Sequence, residues 1–304
     1  LDPMAEGVIM VLINNATKFS DDLMKRDKEY YVEMELGYET DSYDLEGTIV
    51  KEFTGKIEID DEKIKEVINS FLGKIEQIPP MYSAIKIDGK KLYDLARKGI
   101  ELERKPRKVE VKKLREIKIL RNEKIKISFF VEVSSGTYIR SLVRDIGEKL
   151  GVFATMTRLV RTRIDKYSID ESILLEEIEK KLNDEKEIFE EKPAKNISND
   201  SLDNENNIDR NEQIKEIIKF KNIECIFNYE KITVSEEKYK KLKNGMTVLV
   251  GFKKFKDLHT VVENNLYCVY TKNEISGKKE FKGLVKVTRK SHDKVYLKRE
   301  KYFI

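Results

Sequence analysis

The chain's 304 residues suffice for one large domain with a smaller one attached, and 39% hydrophobic against 38% charged residues gives a core under a heavily charged surface. No apolar run approaches the roughly 20 residues of a membrane span, no secretory leader is legible, and Cys225, Cys268, His259 and His292 lack metal-ligand spacing. The net charge of +4 hides two basic blocks, residues 81–115 (12 Lys/Arg against 5 Asp/Glu) and 238–304 (18 against 6), around an acidic one at 170–219 (8 against 16).

These counts point away from membrane-spanning, disulfide-stapled and zinc proteins, toward a cytoplasmic chain without metal or cofactor. Two separated basic blocks fit a polyanionic partner touched at two places. A generally lysine-rich surface is the competing explanation.

Along the chain, residues 30–36 alternate, with Val32, Met34 and Leu36 on one face and Glu33 and Glu35 on the other, which predicts a half-buried strand. Ile64, Val67, Ile68, Phe71 and Leu72 predict a helix over 62–72. Ile125, Ile127, Phe129, Val131 and Val133 alternate again over 124–133. After the turn Ser134-Ser135-Gly136, a helical stripe of Ile139, Leu142, Val143, Ile146 and Leu150 ends at Gly151. Strand, tight turn and helix together would hold a side chain rigidly. Residues 174–192 read as an acidic helix, and the Asn-rich run 193–212 as a linker with too little apolar surface to fold. Short strand-like runs at 247–250, 266–270 and 284–287 have the texture of a small β-barrel.

The chemistry-bearing residues stand in ordered motifs: Leu1-Asp2-Pro3-Met4-Ala5-Glu6-Gly7, Ala16-Thr17-Lys18-Phe19, Lys28-Glu29-Tyr30, Gly37–Gly47 with Asp41 and Asp44, Gln77-Ile78-Pro79-Pro80-Met81-Tyr82 through Lys86, Gly136-Thr137-Tyr138-Ile139-Arg140, and Arg158-Leu159-Val160-Arg161. An isolated Asp-Pro pair is a turn signal. In this company and order, the chain resembles the TruB-type pseudouridine synthases over residues 1 to about 170.

The resemblance implies an α/β (α+β) fold, with a mixed, largely antiparallel catalytic sheet, flanking helices and a small C-terminal PUA-like β-barrel. It implies a catalytic domain at 1–173 with an RNA-gripping insertion at about 77–108, a linker or insertion at 174–219, and an RNA-binding domain at 220–304. It further implies that the family's opening strand and Gly-His-x-Gly run precede Leu1.

The implied activity is isomerisation of uridine to pseudouridine at position 55, in the TΨC loop of tRNA, without cofactor or metal. By residue-by-residue match, Asp2 is the nucleophile, Arg140 its partner, and Tyr30 the tyrosine that stacks on the flipped base and serves as a late base. Tyr138 matches a second active-site tyrosine and Leu159 an apolar wall of the base pocket, while Lys18, Asp44 and Lys86 fall in RNA-contacting or active-site segments. The choice between Asp41 and Asp44 stays open. So does the route, through C1′, C6 or C2′. The chemistry suits these residue types, since a carboxylate can add to the nucleotide or assist deprotonation, and a guanidinium can grip it through paired hydrogen bonds.

For each there is a plainer role: Tyr30 as a cross-strand packing residue, Leu159 as core, Arg140 as a surface arginine near a helix start. The expected partner is the TΨC arm of tRNA, and the expected state is a monomer. Two other functions remain: a tRNA-binding or folding protein without catalysis, and a related synthase acting on another RNA.

Overall fold

A computed structural model of the chain describes residues 2–180, 221, 223–251, 253, 255, 261–273, 276–291 and 294–302. It divides into two compact units, residues 1–10 with 24–172, and residues 11–23 with 173–304.

The first unit is built on seven strands, β1 (Glu6–Gly7), β2 (Lys28–Leu36), β5 (Gly73–Gln77), β8 (Arg107–Arg121), β9 (Ile125–Val133), β10 (Ala154–Ile164) and β11 (Tyr167–Ser168). Two short hairpins, β3 (Tyr38–Thr40) with β4 (Ile49–Glu52) and β6 (Lys86–Ile87) with β7 (Lys90–Lys91), stand outside it. The sheet order is β1-β10-β2-β9-β8-β5, with β11 on β10. Only β1 on β10 is parallel; the other pairings are antiparallel. The mixed, largely antiparallel sheet is as expected.

The alternation in β2 and β9 has the predicted consequence: Val32, Met34, Phe129 and Val131 are fully buried on one face. Besides the short helices α1 (Ser20–Met24) and α3 (Leu92–Ala96), the chain forms the longer helices α2 (Asp61–Asn69) and α4 (Ile139–Leu150), which close that face with Ile64, Ile68, Leu142, Val143 and Ile146. Helix α2 is shorter than its apolar spacing predicted. Asp60 caps its start by accepting from the Lys63 N–H at 2.6 Å, and it stops at Asn69, before Gly73 turns the chain at φ +99. Phe71 packs against the core from outside the helix and Leu72 is exposed. Helix α4 ends as predicted, on Gly151 in the left-handed conformation (φ 75). Its Gly147 lies so close to β10 that a Cβ there would meet the Ala154 nitrogen at 2.3 Å.

The second unit is a five-stranded sheet of order β12 (Lys231–Thr233), β14 (Leu266–Lys272), β15 (Lys279–Ser291), β16 (Lys294–Tyr302) and β13 (Val248–Gly251). Bulges at Leu284/Val285 and Val287/Arg289 bend its two longest strands into a curl of the PUA-like kind. Ile232, Leu242, Val269, Val285, Val295 and Leu297 fill its core. Residues 11–23 belong here although they precede β2: Phe19 is fully buried with its ring 5.0 Å from that of Phe227, and Asp22 pairs with Lys301 at 2.6 Å. The acidic stretch is helical at 175–180; its remainder and the Asn-rich run lie outside the described residues.

Candidate active site

Arg140 is 5% exposed at the first turn of α4. The turn before it is held by Gln77, whose side-chain amide accepts from the Tyr138 N–H (2.8 Å) and donates to the Tyr138 carbonyl (3.1 Å). Ser141 anchors the same turn by donating to the Ile78 carbonyl at 2.8 Å. β5 and α4 therefore fix the Arg140 backbone from two sides. Its Nη2 donates to Asp2 Oδ1 at 2.7 Å and to the Tyr82 carbonyl at 2.9 Å. Its Nη1 donates to the Ser42 carbonyl at 3.1 Å and lies 3.3 Å from Asp44 Oδ2. A single guanidinium thus joins four segments far apart in sequence.

Asp44 is 1% exposed and well satisfied. Beyond Arg140, its Oδ1 accepts from the Ser42 hydroxyl at 2.5 Å and from the Glu46 N–H at 3.0 Å. The turn that presents it carries Tyr43 at φ 65, an uncommon conformation for a bulky side chain. Arg144, one helical turn after Arg140, stacks over the Tyr43 ring (5.0 Å to its centroid) and donates to its hydroxyl at 3.2 Å. Asp41 serves the loop differently, accepting from the Thr48 N–H (2.9 Å) and the Tyr82 hydroxyl (3.3 Å).

Asp2 differs from Asp44 in a way that matters for chemistry. Its side chain is 28% exposed, against 2% for Asp44, and Arg140 is its ion-pair partner among the described residues. One carboxylate is sealed in place by the arginine; the other is held by the same cation yet open to an incoming molecule. Tyr30, on β2, is partly buried and packs against the core, as do Met4 and Ala5. Burial pushes its phenol up from the usual range, the Arg161 charge and hydrogen bond pull it back, and the Asp2 charge adds to the rise. It is protonated at neutral pH.

The backbone of the Asp2 segment is tied down at β1. The Val8 N–H donates to the Arg161 carbonyl at 2.8 Å, and Gly7 passes so close to β10 that a Cβ on it would lie 2.2 Å from that carbonyl oxygen. Gly7 also has φ +105. Gly7→Ala is therefore expected to cost about 2–4 kcal/mol through combined backbone strain and overpacking, read as a lower denaturant midpoint. An unchanged midpoint would contradict this packing.

Of the residues expected from sequence, Asp2, Asp44 and Arg140 form one connected cluster, and Tyr30 lies within electrostatic reach of Asp2. Tyr138 is half-buried at the helix start, two residues before Arg140. Leu159 is 4% exposed within the main core, paired across the sheet with Val32. Lys86 is exposed on the β6–β7 hairpin, without an ion pair among the described residues. Lys18 is exposed on the 3-10 helix Asn14–Phe19 of the second unit. Gln77, Ser42 and the carbonyl of Tyr82 join the site with no sequence signal to mark them, since backbone-clamping roles leave no periodic pattern.

Comparison with known proteins bears on this geometry. Residues 1–139 match the family model for the TruB family pseudouridylate synthase N-terminal domain, and residues 140–203 match that for the tRNA pseudouridylate synthase B C-terminal domain. A tRNA pseudouridine synthase B of Clostridium perfringens (strain ATCC 13124) is 40% identical over 286 residues, covering 93% of this chain and 84% of the relative. The chain belongs to the TruB family. A second TruB-family relative, the tRNA pseudouridine synthase B of Clostridium tetani, is 49% identical over 178 residues, 59% of this chain and 60% of that protein. The fold resembles a chain in the crystal structure of a Cbf5–Nop10–Gar1 complex, with TM-score 0.63 at 23% identity, covering 100% of this chain and 74% of that one. The Asp2–Arg140 pair therefore lies in a pseudouridine synthase fold.

Proposed function

We propose that the chain isomerises uridine 55 in the TΨC loop of tRNA to pseudouridine, with Asp2 as the catalytic carboxylate and Arg140 as the group that orients it. The observation that carries this is the asymmetry between the two carboxylates on one guanidinium, Asp44 sealed and Asp2 accessible.

The target base lies in a stacked loop and must leave its stack to reach Asp2, at a cost of a few kcal/mol. Tyr30 offers a ring face to the extruded uracil and Leu159 an apolar wall, and base–aromatic stacking offsets part of that cost. Asp2 then acts on the nucleotide through C1′, C6 or C2′ while the N1–C1′ bond breaks and the base rejoins through C5. Arg140 keeps the carboxylate aimed at each stage. Tyr138 borders the same pocket, and Asp44 fixes Arg140 rather than meeting substrate. No cofactor is required, because every bond change is internal to the substrate.

Lys18 and Lys86 are read as phosphate contacts, and the exposed lysines of the second unit as a further basic face for tRNA. The protein is read as a cytoplasmic monomer. Among the described residues no helix is long and apolar enough to cross a membrane.

The test is incubation with an unmodified tRNA transcript, followed by mapping of pseudouridine. Product at position 55 supports the assignment; product only in another RNA, or tRNA binding without product, overturns it. For the basic face, replacing exposed Lys240, Lys243 and Lys298 by Gln should weaken tRNA affinity. It should also reduce the slope of log affinity against log salt by about 2–3, leaving the rate at saturating tRNA unchanged. An unaltered slope would remove the second unit from the RNA interface.

A further inference from the structure

Tyr82, between β5 and the β6–β7 hairpin, meets the site with two of its groups. Its carbonyl accepts from Arg140 Nη2 at 2.9 Å, and its hydroxyl donates to Asp41 Oδ2 at 3.3 Å. Asp41 uses its other oxygen within its own loop. There Oδ1 accepts from the Thr48 N–H at 2.9 Å, while the Asp41 N–H donates to the Thr48 carbonyl at 3.0 Å. Gly47 closes that loop so tightly that a Cβ on it would lie 2.3 Å from Asp41 Oδ1. The next residue, Ser42, offers its carbonyl to Arg140 Nη1 at 3.1 Å.

These contacts close a circuit. It runs from Arg140 to the Tyr82 carbonyl, along the Tyr82 ring to Asp41, one residue on to Ser42, and back to the same guanidinium. An aspartate needed only to shape its loop would use the oxygen that meets Thr48 and no more. A tyrosine needed only for the small apolar cluster of Met81, Leu92 and Leu95, against which Tyr82 packs, would need no hydroxyl. Each instead presents a polar group to the other across 41 residues of sequence. Two carbonyls that accept from Arg140 are thereby held together by a bond Arg140 does not make. A planar guanidinium follows its acceptors, because these bonds are directional.

We propose that Tyr82 and Asp41 are positioning residues for pseudouridylation: their hydrogen bond sets the spacing of the Tyr82 and Ser42 carbonyls, and so directs Arg140 and the Asp2 carboxylate it grips. This rests on the proposed function above. The bond also links the segment leading to Lys86, on the β6–β7 hairpin, to the catalytic cluster. Small errors in the placing of a reacting group are expensive in rate, so the hydroxyl of Tyr82 matters to turnover although it touches no reacting atom.

The test uses the full chain and an unmodified tRNA transcript, in single turnovers at saturating enzyme. Tyr82→Phe removes the hydroxyl and keeps the ring and the carbonyl. It should slow pseudouridine formation about 10-fold, with tRNA affinity unchanged within about twofold. Asp41→Ala should slow it by about 10-fold or more, and adding Tyr82→Phe to Asp41→Ala should cost less than about twofold further. Asp41→Asn should recover most of the rate, because its amide oxygen can accept from Thr48 while its NH₂ donates to the phenol oxygen. If Asp41→Ala fails to fold, Tyr82→Phe and Asp41→Asn decide the matter.

A Tyr82→Phe rate within about twofold of wild type, a loss confined to tRNA affinity, or losses that multiply in the double variant would reduce the bond to a loop brace and overturn the proposal. So would an Asp41→Asn chain as slow as Tyr82→Phe, since the charge and not the hydrogen bond would then be what counts. Absence of pseudouridine formation by the wild-type chain would instead refute the proposed function itself.

Discussion

Asp2→Asn is expected to abolish pseudouridine formation, by about 10⁴-fold or more, while leaving tRNA affinity within about twofold. The amide keeps the shape of the carboxylate and loses its charge and nucleophilicity. Asp2 is partly exposed and touches Arg140 at the edge of the cluster, so the fold should tolerate the change. The measurement is single-turnover product formation at saturating tRNA, with affinity from filter binding. Turnover within tenfold of wild type would remove Asp2 from the chemistry. Loss of tRNA binding in parallel would make the residue an RNA contact instead.

Arg140→Met carries the other large effect, on stability as well as activity. It strands Asp44 as a buried carboxylate held only by the Ser42 hydroxyl and the Glu46 N–H, and it leaves the Ser42 and Tyr82 carbonyls without their donor. Breaking a buried pair by removing one partner costs about 3–5 kcal/mol, visible as a lower denaturant midpoint. Two variants separate the causes. Arg140→Lys keeps the charge but cannot reach two carboxylates and two carbonyls from one planar group, so it should recover part of the stability and little of the activity. Arg140→Met with Asp44→Asn removes the stranded charge and should recover stability without activity. If Arg140→Met is as stable as wild type, the four-way junction is not holding the loop.

Much of this architecture was legible locally. β2, β9 and α4 each bury one face, so period-2 and period-3.6 patterns show through, and Gly151 marks the end of α4. Elements that break the pattern were harder to see. β8 spans Arg107–Arg121 with charges on both faces, bulges at Val111/Lys113 and Arg115/Lys118, and Glu116 at φ 54, so its alternation is interrupted twice. The placing of residues 11–23 in the second unit depends on Phe19 meeting Phe227 and Asp22 meeting Lys301, contacts between distant segments that no periodicity encodes.

The site divides in the same way. Asp2 and Arg140 are 138 residues apart, and only the order of surrounding motifs suggested that they meet. Asp41 and Asp44 were equivalent as letters; burial and reach distinguish them, with Asp44 on Arg140 and Asp41 on the loop backbone. Gln77 and Ser42 act by satisfying or presenting backbone groups, a task that polar residues perform throughout any protein.

The most direct test of the central claim is a crystal structure of the Asp2→Asn chain bound to a T-arm stem–loop. The account predicts the target uracil out of its stack, Tyr30 against its face, and the side chain at position 2 within about 3.5 Å of C1′ or C6, still gripped by Arg140. A uridine that stays stacked in the loop, or seats away from Arg140, would contradict it.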